Sequence, residues 1–120
     1  MVVQGELVGI YTMRGYQKAP STGTITLVGP KVQKGCYAVI TGMSIINYTT
    51  ANKQLLLGTR DSSNTDHYSH AVKETSTLGL QASDQTILRE NESVIGVCLS
   101  PTANDEIYVT AYGLVYRMAE

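Results

Sequence analysis

The stretch Cys36–Thr49, CYAVITGMSIINYT, is the longest clean β signal in the chain. Simple alternation puts Tyr37, Val39, Thr41, Met43 and Ile45 on one face, and Cys36, Ala38, Ile40, Gly42, Ser44 and Ile46 on the other. Both sets carry apolar groups. The stretch therefore reads as a central strand packed on both sides.

On its C-terminal side, Thr50-Ala51-Asn52 reads as a turn and Lys53–Thr59 as a returning strand, which together predict a hairpin. Arg60–Thr65 is a polar loop and Asp66–Val72 a short edge strand. Lys73–Ser83 reads as a loop or as a helical turn through Thr77-Leu78-Gly79-Leu80. Asp84–Arg89 is a strand, Glu90-Asn91-Glu92 a turn, and Ser93–Leu99 an apolar run that predicts a buried strand. Glu106–Met118 closes the chain as a strand. Its small and β-branched face (Ile107, Val109, Ala111, Gly113, Val115) suits a core. The other face (Tyr108, Thr110, Tyr112, Leu114, Tyr116) suits a covering loop or a neighbouring subunit. On the N-terminal side, Gln4–Met13 and Thr22–Val28 are strand candidates separated by the loop Gly15–Ser21. About eight strands with no helical pattern predict an all-β protein: one antiparallel β-sandwich domain over residues 1–120, jelly-roll-like, with residues 1–20 as a candidate N-terminal arm. An immunoglobulin-like sandwich is the alternative topology.

Composition narrows the function classes. The 120 residues suffice for one hydrophobic core without metal or disulfide. Charged residues make up 16%, the net charge is −1 and the nine basic residues are scattered, which argues against nucleic acid as a partner. No apolar run is long enough to predict a membrane span. Met1-Val2-Val3-Gln4 lacks the pattern of a signal peptide. All eight aromatic residues are Tyr, whose apolar body and polar tip suit half-buried surfaces. Cys36 and Cys98 lie in apolar strands and read as buried free thiols, with a bridge between neighbouring strands still open.

Catalytic constellations are not evident. His67 and His70, with Asp61 and Asp66, form the only cluster of metal-ligand types, and residues three apart on a regular strand point to opposite faces. A polar loop is the simpler reading, and no metal or cofactor is expected. Glu90 and Glu92 read as solvated turn carboxylates rather than an acid–base pair. There is no nucleophile elbow or phosphate loop. The glycosylation patterns at Asn47 and Asn91 read as chance matches.

The run Ile40–Thr50, ITGMSIINYTT, resembles the "ITG-x-x-I-x-N-T" strand and turn of small β-sandwich virion proteins of tailed bacteriophages. Thr86-Ile87-Leu88 with Glu90–Val94 is similar to their hairpin, where an acidic turn precedes a buried strand. Asn104–Thr110 through Tyr116 is similar to their terminal strand. The resemblance covers residues 36–118 and departs at the polar segment Arg60–Lys73. It implies a non-enzymatic virion protein that decorates or cements the head, or sits at the neck or tail. Its partners would be the major capsid protein or other virion proteins, and it would form a homo-oligomer, with a trimer favoured.

On that reading Tyr108, Tyr112 and Tyr116 are the candidate subunit contact, and Tyr11 and Tyr16 the candidates for docking through the N-terminal arm. The alternative is a carbohydrate- or receptor-binding module using the loop Asp61–His70. A third reading, an enzyme with a cupin-like metal at His67 and His70, requires a further ligand.

Overall fold

The structure is a computed structural model, which describes residues 5–51, 53–72 and 79–118. Among the described residues nine strands run in order: β1 (Glu6–Lys18), β2 (Ile25–Val28), β3 (Cys36–Asn47), β4 (Gln54–Arg60), β5 (Asp66–Val72), β6 (Gly79–Ala82), β7 (Thr86–Leu88), β8 (Ser93–Leu99) and β9 (Glu106–Arg117). One sheet has the order β1-β9-β3-β6, with β7 also pairing β3, and the other β2-β8-β4-β5. All strand pairs are antiparallel. Taking β6 and β7 as one interrupted strand leaves eight, wound as the double Greek key of a jelly roll. The predicted all-β sandwich is the observed architecture.

Two predicted hairpins are corrected. β3 and β4 lie in different sheets, as do β7 and β8, so neither pair folds back as a hairpin on its neighbour. The true tight hairpin is β4–β5 around the loop 61–65. The N-terminal segment is corrected as well. Glu6–Lys18 is not an arm; it pairs with β9 along its whole length. Gly79–Ala82 is strand rather than helical turn, and the remainder of that ambiguous segment, 73–78, lies outside the described residues.

The core lies between the sheets. Ala38, Ile40, Met43, Ile45, Ile107, Val109 and Ala111 face Leu55, Leu57, Val94 and Cys98 across it. In β9 the predicted faces hold, with Ile107, Val109, Ala111 and Gly113 buried and Tyr108, Thr110, Tyr112 and Leu114 exposed. β8 is buried from Ser93 to Cys98, as its apolar run predicts. Cys36 and Cys98 are buried free thiols.

The central strand is where alternation misleads. The β3–β9 register slips between Ile40 and Gly42, so Thr41 is an extra residue in β3. Faces invert across this bulge. Cys36, Ala38, Ile40, Met43, Ile45 and Asn47 all point into the core, while Tyr37, Val39, Thr41, Ser44 and Ile46 point out. β3 is therefore packed on one face only. The apparent two-sided hydrophobicity is one core face read through a bulge.

Candidate functional site

The outer face of the β1-β9-β3 sheet is the chemically distinctive surface. Cross-strand partners share a face, so the register defines its rows. Leu7, Tyr116 and Tyr37 form the first, and Ile10, Leu114, Val39 and Ile87 the second. Tyr112 sits next to Gly42. Arg14, Thr110, Ser44 and Gln81 form a polar row, Tyr16, Tyr108 and Ile46 the next, and Lys18 pairs with Glu106 beyond them. The charged residues of these rows are Arg14 and the cross-strand pair Lys18 and Glu106.

The predicted tyrosines separate into groups. Tyr16 and Tyr108 pack together with ring centroids 4.8 Å apart, and Tyr48 meets Tyr108 edge-on at 6.1 Å. Tyr48 is 67% exposed, Tyr16 49% and Tyr108 39%. The Tyr16 hydroxyl donates to Glu106 Oε1 at 3.0 Å, and that carboxylate raises the phenol above its ordinary pKa. Tyr116 stacks on Tyr37 at the opposite end, at 5.4 Å. Tyr112 lies between them, its ring directly over Gly42, where a Cβ would collide with it.

Tyr11 is a correction. It is 4% exposed and faces the core. Its hydroxyl donates to Pro30 O at 2.7 Å and accepts from the Val94 amide at 3.2 Å, stitching the two sheets together. Burial pushes its phenol above the ordinary pKa. It has no surface with which to dock a partner.

Beneath the Tyr16–Tyr48–Tyr108 end lies a buried polar knot that sequence reasoning missed. Asn47 and Asp105 are both essentially inaccessible. Asn47 Nδ2 donates to Asp105 Oδ2 at 2.8 Å, and Asn47 Oδ1 accepts from the amides of Thr49 and Thr50. Asp105 also accepts from Thr50 Oγ1 at 2.6 Å and from the Thr102 amide at 2.8 Å. Burial alone would raise the Asp105 carboxyl. The hydrogen bonds from Asn47, Thr50 and Thr102, with the charge of Lys53, outweigh it and hold the group below the ordinary carboxylate value. The available signal was the pair of Asn and Asp residues at adjoining strand ends, which the turn patterns quoted above contain. Asn47 is inaccessible in the folded chain, so its glycosylation pattern is not a usable acceptor.

The His cluster does not converge on one point. β5 carries an extra residue, Ser69, where the β4–β5 register slips. His67 and His70 therefore share a face, contrary to simple alternation. Each nonetheless takes its own carboxylate: His67 Nε2 meets Asp61 Oδ2 at 2.9 Å, and His70 Nε2 meets Asp84 Oδ1 at 3.1 Å. Asp66 instead pairs with Arg60 Nε at 2.7 Å. The His67 contact and the amides of Thr65 and Ser63 hold Asp61 below the ordinary carboxylate value. Among the described residues no group of three or more His, Cys, Asp or Glu is placed to hold a metal. Glu90 and Glu92 belong to the turn that joins β7 to β8, where Glu92 Oε1 accepts from the Arg89 amide at 2.7 Å.

No family model matches the chain, and no curated protein matches its sequence. Solved structures do match its fold. The chain is similar to one in the acidic stable capsid structure of Helicobacter pylori bacteriophage KHP30, at 13% identity and a TM-score of 0.57, covering 94% of this chain and 93% of that one. PRD1 vertex protein P5 is similar at 16% identity and a TM-score of 0.52, covering 91% and 99%. A chain of the disulfide-linked pili of Bacillus endospore appendages is similar at 13% identity and 0.52, covering 97% and 92%. At these identities the likeness is one of fold, and a fold does not by itself assign a function. The chain is a jelly-roll β-sandwich that resembles, at a distance, virus capsid and vertex proteins.

Proposed function

We propose that this chain is a non-enzymatic structural protein of a bacteriophage virion, which decorates or cements the capsid as a homo-oligomer. The observation that carries this reading is the exposed Tyr16–Tyr48–Tyr108 cluster with Ile46, assigned here as the contact between copies of the chain. Tyr16 is tied to Glu106 by a hydrogen bond, and Asn47 of the knot below fixes the turn that follows Tyr48 by accepting from the Thr49 and Thr50 amides. Rigid aromatic groups lose little entropy on docking, and Tyr is enriched among residues that dominate interface energy. The Glu106 carboxylate at the edge of the cluster is matched by Lys18, its partner across the β1–β9 ladder, so the patch can meet its own copy without net like-charge repulsion, as symmetric assembly requires. The jelly-roll likeness to capsid and vertex chains supports the reading at the level of fold.

Light scattering coupled to size exclusion, at low and high protein concentration, tests it. A closed oligomer is expected, with a trimer favoured. Tyr48→Ala combined with Tyr108→Ala should weaken association roughly thirtyfold, as loss of an interface hot spot of about 2 kcal/mol does, with an unchanged β circular-dichroism spectrum. A monomer at every concentration refutes the self-contact.

A further inference from the structure

Three irregularities of the fold coincide on the outer face of the β1-β9-β3 sheet. The β3 bulge falls at Thr41. The next residue is Gly42, without a side chain. Opposite it the neighbouring edge strand is broken, since β6 pairs with β3 only at 43–46 and β7 only at 38–40. The result is a cleft of about 310 Å³ lined by Gly42, Ser44, Gln81, Ser83, Thr110 and Tyr112, with Met43 and Ala82 at its base. Bulges re-aim side chains and are over-represented beside functional sites, and a strand glycine often marks close approach by a ligand.

We propose that this cleft binds a neutral saccharide of one or two rings. Every polar side chain lining it is uncharged: three aliphatic hydroxyls, one carboxamide and one phenol. Ser44 Oγ and Thr110 Oγ1 lie 2.5 Å apart, so one hydroxyl donates to the other and the second keeps its own proton to donate. Gln81 adds both donors and an acceptor, and Ser83 one of each. Such a mixed set matches vicinal sugar hydroxyls, each of which both donates and accepts. Arg14 lies beyond Thr110 in the same row but does not line the cleft, so an anion would find no cation within it and a cation no carboxylate. An apolar ligand would strip water from the hydroxyls without replacing their hydrogen bonds.

Tyr112 supplies the apolar wall for the C–H face of a ring. The volume lies at the small end of ligand sites. The one carboxylate on the loop between β6 and β7, Asp84, is held by His70 of β5 and does not line the cleft. The cleft shares no lining residue with the loop Asp61–His70 or with the Tyr16–Tyr48–Tyr108 contact, and its Ser44–Thr110 row adjoins the Ile46–Tyr108 row of that contact.

The test is a two-dimensional amide NMR titration of the full chain with methyl glycosides of glucose, galactose, mannose and N-acetylglucosamine. At least one should produce saturable shifts centred on Gly42, Ser44, Gln81, Ser83 and Tyr112. Tyr112→Ala should weaken binding about tenfold, and Gln81→Leu should weaken it in a backbone that needs no adjustment. Tyr48→Ala should leave it unchanged. Absence of shifts with all four glycosides, shifts centred on Asp61–His70, or full affinity in Tyr112→Ala and Gln81→Leu each overturns the proposal.

Discussion

Replacing Asn47 by Ala should be among the most damaging single polar substitutions in this protein. The change removes the 2.8 Å donor to Asp105 and the acceptor for the Thr49 and Thr50 amides. Asp105 is 1% exposed, so water cannot take the place of the lost donor. A hydrogen bond to a charged buried group is worth about 1.5–3 kcal/mol, and leaving the acceptor short of a donor costs on that order. The Thr49 and Thr50 amides lie nearer the surface, and their loss resembles that of a side-chain cap, about 1 kcal/mol. The expected total is about 2–4 kcal/mol out of a typical 5–15.

Urea unfolding at pH 7 measures this loss. The midpoint should fall by on the order of 1–2 M with an unchanged slope. The acid side supplies a second readout. The folded pKa of Asp105 is lowered, so its contribution to stability is fully present above the unfolded carboxylate value and is lost as pH falls through the folded one. Without Asn47 burial is less opposed and the folded pKa rises. The variant then loses stability at higher pH than the wild type, and the gap measured at pH 7 narrows at an acid pH below the wild type's folded value, where the carboxyl is neutral in both. A loss below about 1 kcal/mol, or an equal loss at both pH values, would refute the claim that the knot is a charge-assisted buried network.

Two further outcomes follow from the geometry. Gly113→Ala drives a Cβ onto the Val39 carbonyl and the Ile40 Cα, which are backbone atoms, whereas Gly42→Ala meets the ring of the exposed Tyr112, which can rotate away. The first should cost more than about 3 kcal/mol or prevent soluble expression, and the second less than about 1 kcal/mol by thermal or urea unfolding. Tyr11→Phe should lose about 1–3 kcal/mol, because the Val94 amide and the Pro30 carbonyl both lose their partner; its oligomeric state should match the wild type, and a shift in assembly without loss of stability would return Tyr11 to the surface role the structure denies it.

Much of the architecture was legible from local pattern. β8 and β9 follow from runs whose continuous apolarity or alternation has no interruption, and the tyrosine face of β9 follows from period-2 reading alone; the extent of β5 was legible, but its extra residue Ser69 was not. The candidate contact was legible only in part. Tyr16 and Tyr108 were expected at the surface and are there. Tyr11 occupies the same strand and the same residue class, yet its parity places it inward, and the sequence around Gly9 carries two parities because the β1–β9 register slips between Leu7 and Gly9.

Period-2 alternation, turn residues and low charge are local or summed properties, so the chain alone determined an all-β sandwich with a tyrosine-bearing terminal strand. Ladder slippage is a property of two paired strands. Only the partner β9 decides that Thr41 is the extra residue, and that slip moves Met43 and Ile45 to the core face and opens the cleft at Gly42. The sheet to which β4 belongs, and the meeting of Asn47 with Asp105 across 58 residues, are likewise decided by which long-range closures bury the most apolar surface while pairing buried polar groups such as these two.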